Sequence, residues 1–126
     1  MKCLSLKQPF AFLLASGRKT IELRKWNTHF RGKFLIHASL KPDLGACKEL
    51  GIDPKELVYG AVIGSATIYG IKDYESVEEF MQDSKKHLAT KKFYPQHGFL
   101  IKDAVKFDKP IPMKGQLNFF DVKVKI

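Results

Sequence analysis

Ten consecutive residues, Gly17-Arg18-Lys19-Thr20-Ile21-Glu22-Leu23-Arg24-Lys25-Trp26, bring an ammonium, a carboxylate, a guanidinium and an indole into one short stretch. Apolar Ile21 and Leu23 alternate with polar Thr20, Glu22 and Arg24, which is the pattern of a half-buried strand. If Ile21 and Leu23 face the core, then Thr20, Glu22, Arg24 and Trp26 share the opposite surface, with Lys19 at the mouth of the strand. A carboxylate beside two cations can hold their donors in fixed directions, and a neighbouring indole offers a flat face for stacking. Phosphates, carbonyl edges and unpaired bases are the ligands such a set suits. Periodicity alone describes equally well an ordinary surface ion pair, worth ~0 to 1 kcal/mol, and a lone Trp is more often a core residue.

The elements that must position these groups are short. Pro9 can open a helix, with Phe10, Leu13 and Leu14 at helical spacing and Gly17 as its left-handed stop, predicting a helix over 9–16. The strand with the charged cluster begins at Lys19, and a second covers 32–38. Pro42 to Gly51 reads as another short helix, and Asp53-Pro54 as a cap and first turn. A long strand is expected over 60–69, rich in Val, Ile, Ala and Tyr. Ser76 and Glu79 form a capping-box pair opening a helix with Val77, Phe80, Met81 and Leu88 at helical spacing. Strands over 98–107 and 116–125 follow, separated by a Pro- and Gly-rich turn at 109–115. Five or six strands with short helices and no βαβ repeat predict an α+β fold built on a small closed or nearly closed mixed β-barrel.

The chain has 126 residues, 44% of them hydrophobic, with ten Phe, which suits one self-folding domain over 1–126. No apolar run approaches the roughly 20 residues of a membrane helix, and Lys7, Gln8 and Pro9 interrupt any apolar leader. A cytoplasmic location with no membrane partner is therefore expected. Cys3 and Cys47 fit no paired framework, so each reads as a free buried thiol. His29, His37, His87 and His97 lack metal-ligand spacing, and neither a metal nor another cofactor is expected. The net charge of +9 is segmental. Residues 1–41 carry nine Lys or Arg against the single carboxylate of Glu22, 43–83 carry three against nine, and 85–126 carry ten against three. The basic ends would attract a polyanion while the acidic middle faces elsewhere. Phe93-Tyr94-Pro95 after Lys91-Lys92 reads either as an aromatic and basic loop at such a surface or as a loop anchored by its rings.

Three runs carry a resemblance: Leu4-Ser5-Leu6-Lys7-Gln8-Pro9-Phe10-Ala11, then the Gly17-x-Lys19-x-x-Glu22-x-Arg24 motif, then Arg31-Gly32-Lys33-Phe34-Leu35-Ile36-His37-Ala38. Their order and spacing resemble the ASCH domain family. Gln-Pro in the first run and Trp soon after the motif are similar to the form found in a eukaryotic transcription coactivator. The late stretch Pro110 to Leu117 resembles the family's final turn and strand. The resemblance implies a PUA-like β-barrel whose helices frame a cleft lined by Lys19, Glu22 and Arg24, with Lys7, Gln8, Trp26 and His37 as neighbours. It also implies binding of RNA or single-stranded DNA, or of a modified nucleoside. Some bacterial members are small hydrolases. One group deacylates N4-acetylcytidine with a Lys at the place of Lys19, a Thr at that of Glu22 and a separate Glu; here position 22 is a carboxylate, so that group's hydroxyl is replaced. If the chain is an enzyme, Lys19 and Glu22 are its catalytic candidates. A third reading is a protein-interaction module recruiting partners through the acidic middle.

Overall fold

In the computed structural model, which describes residues 1–91 and 96–123, the elements follow in a simple order. They are β1 (Lys2–Leu6), α1 (Phe10–Ala15), β2 (Ile21–Arg24), β3 (Gly32–Ala38), α2 (Leu44–Leu50), a 3-10 turn (Pro54–Glu56), β4 (Ala61–Asp73), α3 (Val77–Gln82), α4 (Ser84–His87), β5 (His97–Pro112) and β6 (Phe119–Asp121). The six strands make one sheet in the order β2-β5-β4-β3-β1-β6. Among the described residues only β1 and β3 pair in parallel. The β4–β5 ladder shifts register between Val62 and Gly64, Ser65 and Thr67, and Ile68 and Gly70. Such bulges strengthen twist and bend the ribbon, so the sheet curls into a half-barrel. β2 and β6 are its two edges, and side chains rather than a ladder bridge them. Trp26, just past β2, meets the rings of Phe119 and Phe99 edge-on at centroid distances of 5.8 and 5.3 Å. Arg24 Nη2 donates to the Ser5 carbonyl on β1 at 3.0 Å.

Alternation along the strands sorts the apolar residues onto two faces. Leu4, Leu6, Phe34, Ile36, Ile63, Ala66, Ile68, Phe99 and Ile101 form the main core with Ala11, Leu14 and Ala15 of α1. A smaller cluster of Cys3, Leu35, Val62 and Phe120 uses the other parity. Both cysteines are free and buried, and burial pushes the Cys3 thiol up to about 12, which keeps it an inert apolar filler. No helix among the described residues is long and apolar enough to cross a membrane.

Several expectations change in detail. Pro9, joined to Gln8 by a cis peptide bond, precedes α1 instead of occupying its first turn. Lys2–Leu6, given no element from the sequence, is a strand. The Ser76 hydroxyl does accept from Glu79 N at 3.1 Å, but the expected single helix breaks at Asp83. The Asp83 carboxylate accepts from Tyr74 Oη at 2.7 Å and Lys72 Nζ at 2.6 Å, which ties that residue back to the end of β4 and its following turn, and Leu88 turns left-handed at φ 55°. β5 also runs through the expected turn as far as Pro112, pairing Val62 with Ile111 and Ala61 with Pro112. β2 pairs only with His97 to Leu100. Beyond those residues β5 is an edge, where a proline's missing N–H leaves no partner unsatisfied. The last strand is confined to Phe119–Asp121, and residues 124 and 125 of its expected range lie outside the described residues.

Candidate functional site

Glu22 is the hub of the charged run. Its Oε1 lies 3.5 Å from Lys19 Nζ and its Oε2 accepts from Arg24 Nε at 2.8 Å. Gly17, at φ 80°, reverses the chain between α1 and β2, and Lys19 N then bonds to Leu13 O at 2.9 Å, fixing where the lysine enters. The Lys19 ammonium also donates to the His87 carbonyl and lies 5.3 Å from the Phe10 ring centroid. Both charged groups are deeply buried, Lys19 at 3% and Glu22 at 7% exposure. Burial holds the lysine below its ordinary range, Glu22 opposes that shift, and Arg24 adds to it. The alternation in β2 is real, and both of its faces are covered, Ile21 being 3% exposed and Glu22 7%. Glu22 sits opposite Phe99 in the β2–β5 ladder, and directly paired residues share a face, so the carboxylate points into the curled sheet. Ile21 takes the other face, where a Cβ on Gly98 would touch both Ile21 Cγ2 and Tyr74.

At this end the concave side of the half-barrel opens as a cleft of about 720 Å³. Of the residues singled out from the sequence, Lys7, Lys19, Glu22, Arg24 and Trp26 line it. The Arg24 guanidinium is 5.8 Å from the Trp26 ring centroid. Gln8 and His37 are elsewhere. The Gln8 amide is spent as a strut, Nε2 donating to Val58 O and Oε1 accepting from Phe12 N, both at 2.9 Å; it lines a second hollow of about 380 Å³. His37, 1% exposed, lies between Ser5 Oγ and Met113 O. The cleft instead gains Phe10, Ser39, Asp43, Thr90, Lys91 and Leu117, among others. Ser39 Oγ is, among the described residues, the buried side-chain polar atom with no partner, so a donor and acceptor remains unused in a residue of the cleft wall. Ser39, Asp43 and Thr90 carry no motif that marks them for the cleft, because they lie between or at the ends of elements that meet only in the folded chain. Residues 92–95, including the Phe93-Tyr94-Pro95 run, lie outside the described residues. Among the described residues no group of three His, Cys, Asp or Glu could hold a metal ion.

His87 supports the cleft from behind. Its Nδ1 accepts from Ala89 N at 3.0 Å while its Nε2 faces the Phe80 carbonyl at 2.8 Å. A backbone N–H can only donate and a carbonyl can only accept, which fixes the neutral tautomer with its proton on Nε2. Burial, and secondarily the nearby Lys19 charge, hold His87 below its usual value of 6.5, against the raising effects of the Phe80 hydrogen bond and Asp83. The unfolded chain therefore takes up the proton first. The contribution of neutral His87 to stability is complete above about pH 6.5 and is lost as pH falls through the folded-state value, at up to ~1.4 kcal/mol per pH unit. Urea unfolding at pH 7.5 and pH 5.0 is expected to show this loss, with a shallower slope in a His87→Leu variant. Equal slopes would show that His87 is not the titrating group.

A single curled sheet with a few short helices is the α+β architecture of the PUA-like proteins. The model of the ASCH domain family matches residues 4–110, and the chain belongs to the ASCH domain family. Among solved structures it is similar to ASCH from Zymomonas mobilis, at 17% identity and a TM-score of 0.68, covering 97% of this chain and 87% of that one. A tyrosine-to-phenylalanine mutant of the same Zymomonas mobilis protein gives a TM-score of 0.67 at 17% identity, covering 97% and 89%. At that identity the likeness is one of fold. No curated protein sequence matches the chain.

Proposed function

We propose that the cleft binds an unpaired nucleotide of RNA or another single-stranded nucleic acid. One observation carries this reading: Lys7, Lys19, Arg24 and Lys91 line the same cavity as the half-buried ring of Trp26, with the Arg24 guanidinium 5.8 Å from its centroid. Phosphate neutralisation supplies affinity without sequence choice, and an aromatic face adds ~1 to 3 kcal/mol per stacked base. Membership of a family generally tied to RNA agrees with it. Anisotropy titrations of a short single-stranded RNA are expected to weaken steeply with salt, and a Lys7→Ala/Lys91→Ala double variant to reduce the log–log slope by about 1 to 2. Arg24→Gln should weaken binding by about tenfold, the low end of what a charge-assisted contact is worth. A flat salt response together with unchanged binding by Arg24→Gln would sink the reading.

Hydrolysis of an acylated nucleoside or of RNA is a second reading, favoured by one feature, the buried Lys19 held below its ordinary range. A lysine that sheds its proton more readily can serve as a base, although Glu22 at 3.5 Å works against that loss. Incubation with N4-acylated cytidine and with short RNA tests it. Turnover by the wild type no greater than that of Lys19→Met removes the hydrolase.

A further inference from the structure

Leu117 is 90% exposed, the most exposed of the large hydrophobic side chains among the described residues. An exposed leucine is ordinary by itself. This one lines the cleft together with its neighbours Gln116 and Asn118, on a loop fixed at both ends. At the near end, Met113 N bonds to Gly60 O at 3.1 Å and the His37 Nε2–H donates to Met113 O at 2.8 Å. Because that carbonyl can only accept, the neutral ring carries its proton on Nε2, and the other nitrogen, Nδ1, accepts from the Ser5 hydroxyl at 2.9 Å. Gly115 lies so tightly on that imidazole that a Cβ would come within 2.7 Å of Cε1 and within 2.8 Å of Ser5 Oγ. At the far end, Asn118 turns left-handed at φ 58° and Phe119 joins the rings of Trp26, Phe30, Phe34 and Phe99. The loop thus holds an apolar tip in water at the cleft mouth, two residues from the ring that backs Trp26.

We infer that Leu117 is an apolar lip that closes on the flat face of an unpaired base entering the cleft, and that His37 is the residue that positions it. This rests on the reading of the cleft as a nucleotide site. The chemistry follows from the rim: Lys7 and Lys91 suit phosphate, whereas a leucine gains only by covering an apolar surface. A ligand satisfying both presents charged backbone and a flat apolar base together, which a nucleotide strand does and a simple anion does not.

The test compares a short single-stranded RNA with an oligonucleotide of the same length and backbone in which the bases are absent. Leu117→Ala truncates a side chain that is 90% exposed, so the fold is expected to be intact. It should bind the base-bearing strand about fivefold more weakly, the loss expected from roughly 40 Å² of apolar contact. The abasic strand should bind it as it binds the wild type, and the salt slope should not move, because no charge has changed. Leu117→Phe should retain full affinity. His37→Ala should reproduce the Leu117→Ala pattern and add nothing to it in the double variant; an additive loss would show that His37 acts elsewhere. Wild-type affinity of Leu117→Ala for both strands overturns the lip. If Arg24→Gln nevertheless weakens binding, the cleft reading survives alone. If Arg24→Gln is also without effect, the cleft reading falls with it.

Discussion

Replacing Glu22 by Ala should cost ~3 to 5 kcal/mol of stability, because it strips the counter-charge from a buried ammonium. Lys19 is 3% exposed and cannot reach water without moving. Glu22 also separates it from Arg24, whose Nε shares the same carboxylate, so its loss leaves two cations facing each other. Removing the lysine is milder. In Lys19→Met the carboxylate keeps Arg24, the apolar side chain avoids the desolvation that the ammonium suffers, and the bond to the His87 carbonyl and the ion pair with Glu22 are lost. A double-mutant cycle separates the contributions. Glu22→Ala made in the Lys19→Met background should cost ~1 to 3 kcal/mol less than in the wild type, the usual range for directly coupled groups. Urea denaturation of the four proteins measures it, and an equal cost in both backgrounds would mean that Lys19 does not depend on Glu22.

Gly64→Ala is expected to be nearly as damaging for a purely steric reason. A Cβ there would sit 2.3 Å from the Val105 carbonyl oxygen and 3.0 Å from Ala15 Cβ. The first is the backbone of the neighbouring strand and the second is the last residue of α1, so neither can swing aside as a long side chain would. Overpacking of this kind costs ~3 kcal/mol, at the upper end of the usual range, because backbone must move. The consequence reaches the cleft, since pushing α1 off the sheet displaces Phe10 beside Lys19. The variant should therefore lose both thermal stability and ligand affinity. Gly45→Ala is the control. Its Cβ would make only an ordinary 3.6 Å contact with Asp43, and at a helical position it should stabilise by about 0.5 to 1 kcal/mol. If Gly64→Ala is as stable as the wild type, the close approach of β4, β5 and α1 is wrong.

The two features that matter most for function respond to different changes. Substitution at the buried ion cluster acts on folding first, because Lys19, Glu22 and Arg24 also hold the β2 segment to α4 and to β1. The rim lysines and Leu117 are exposed and can be altered without touching the core. Binding experiments on this domain are therefore cleanest at the rim, and stability experiments at the hub.

Much of the architecture is local and was legible along the chain. The 32–38 strand, the Asp53 and Ser76 caps and the Gly17 and Gly51 stops each depend on a few neighbouring residues, and each is present. The Gly17-x-Lys19-x-x-Glu22-x-Arg24 spacing likewise carries the resemblance to the ASCH family. Alternation in β2, however, separates Glu22 from Ile21 without saying which side is inward; that depends on the pairing with Phe99 and on the curl of β4 against β5. Gln8 and His37 have the chemistry of cleft residues, yet each is consumed by distant backbone, Val58 for the first and Met113 for the second. The partners of Lys19 show the limit most clearly. Its carboxylate lies three residues away and can be read from sequence, but its other acceptor is the main-chain carbonyl of His87, 68 residues distant. Every residue has such a carbonyl, so no residue type announces it, and only the tertiary fold decides which one meets the lysine.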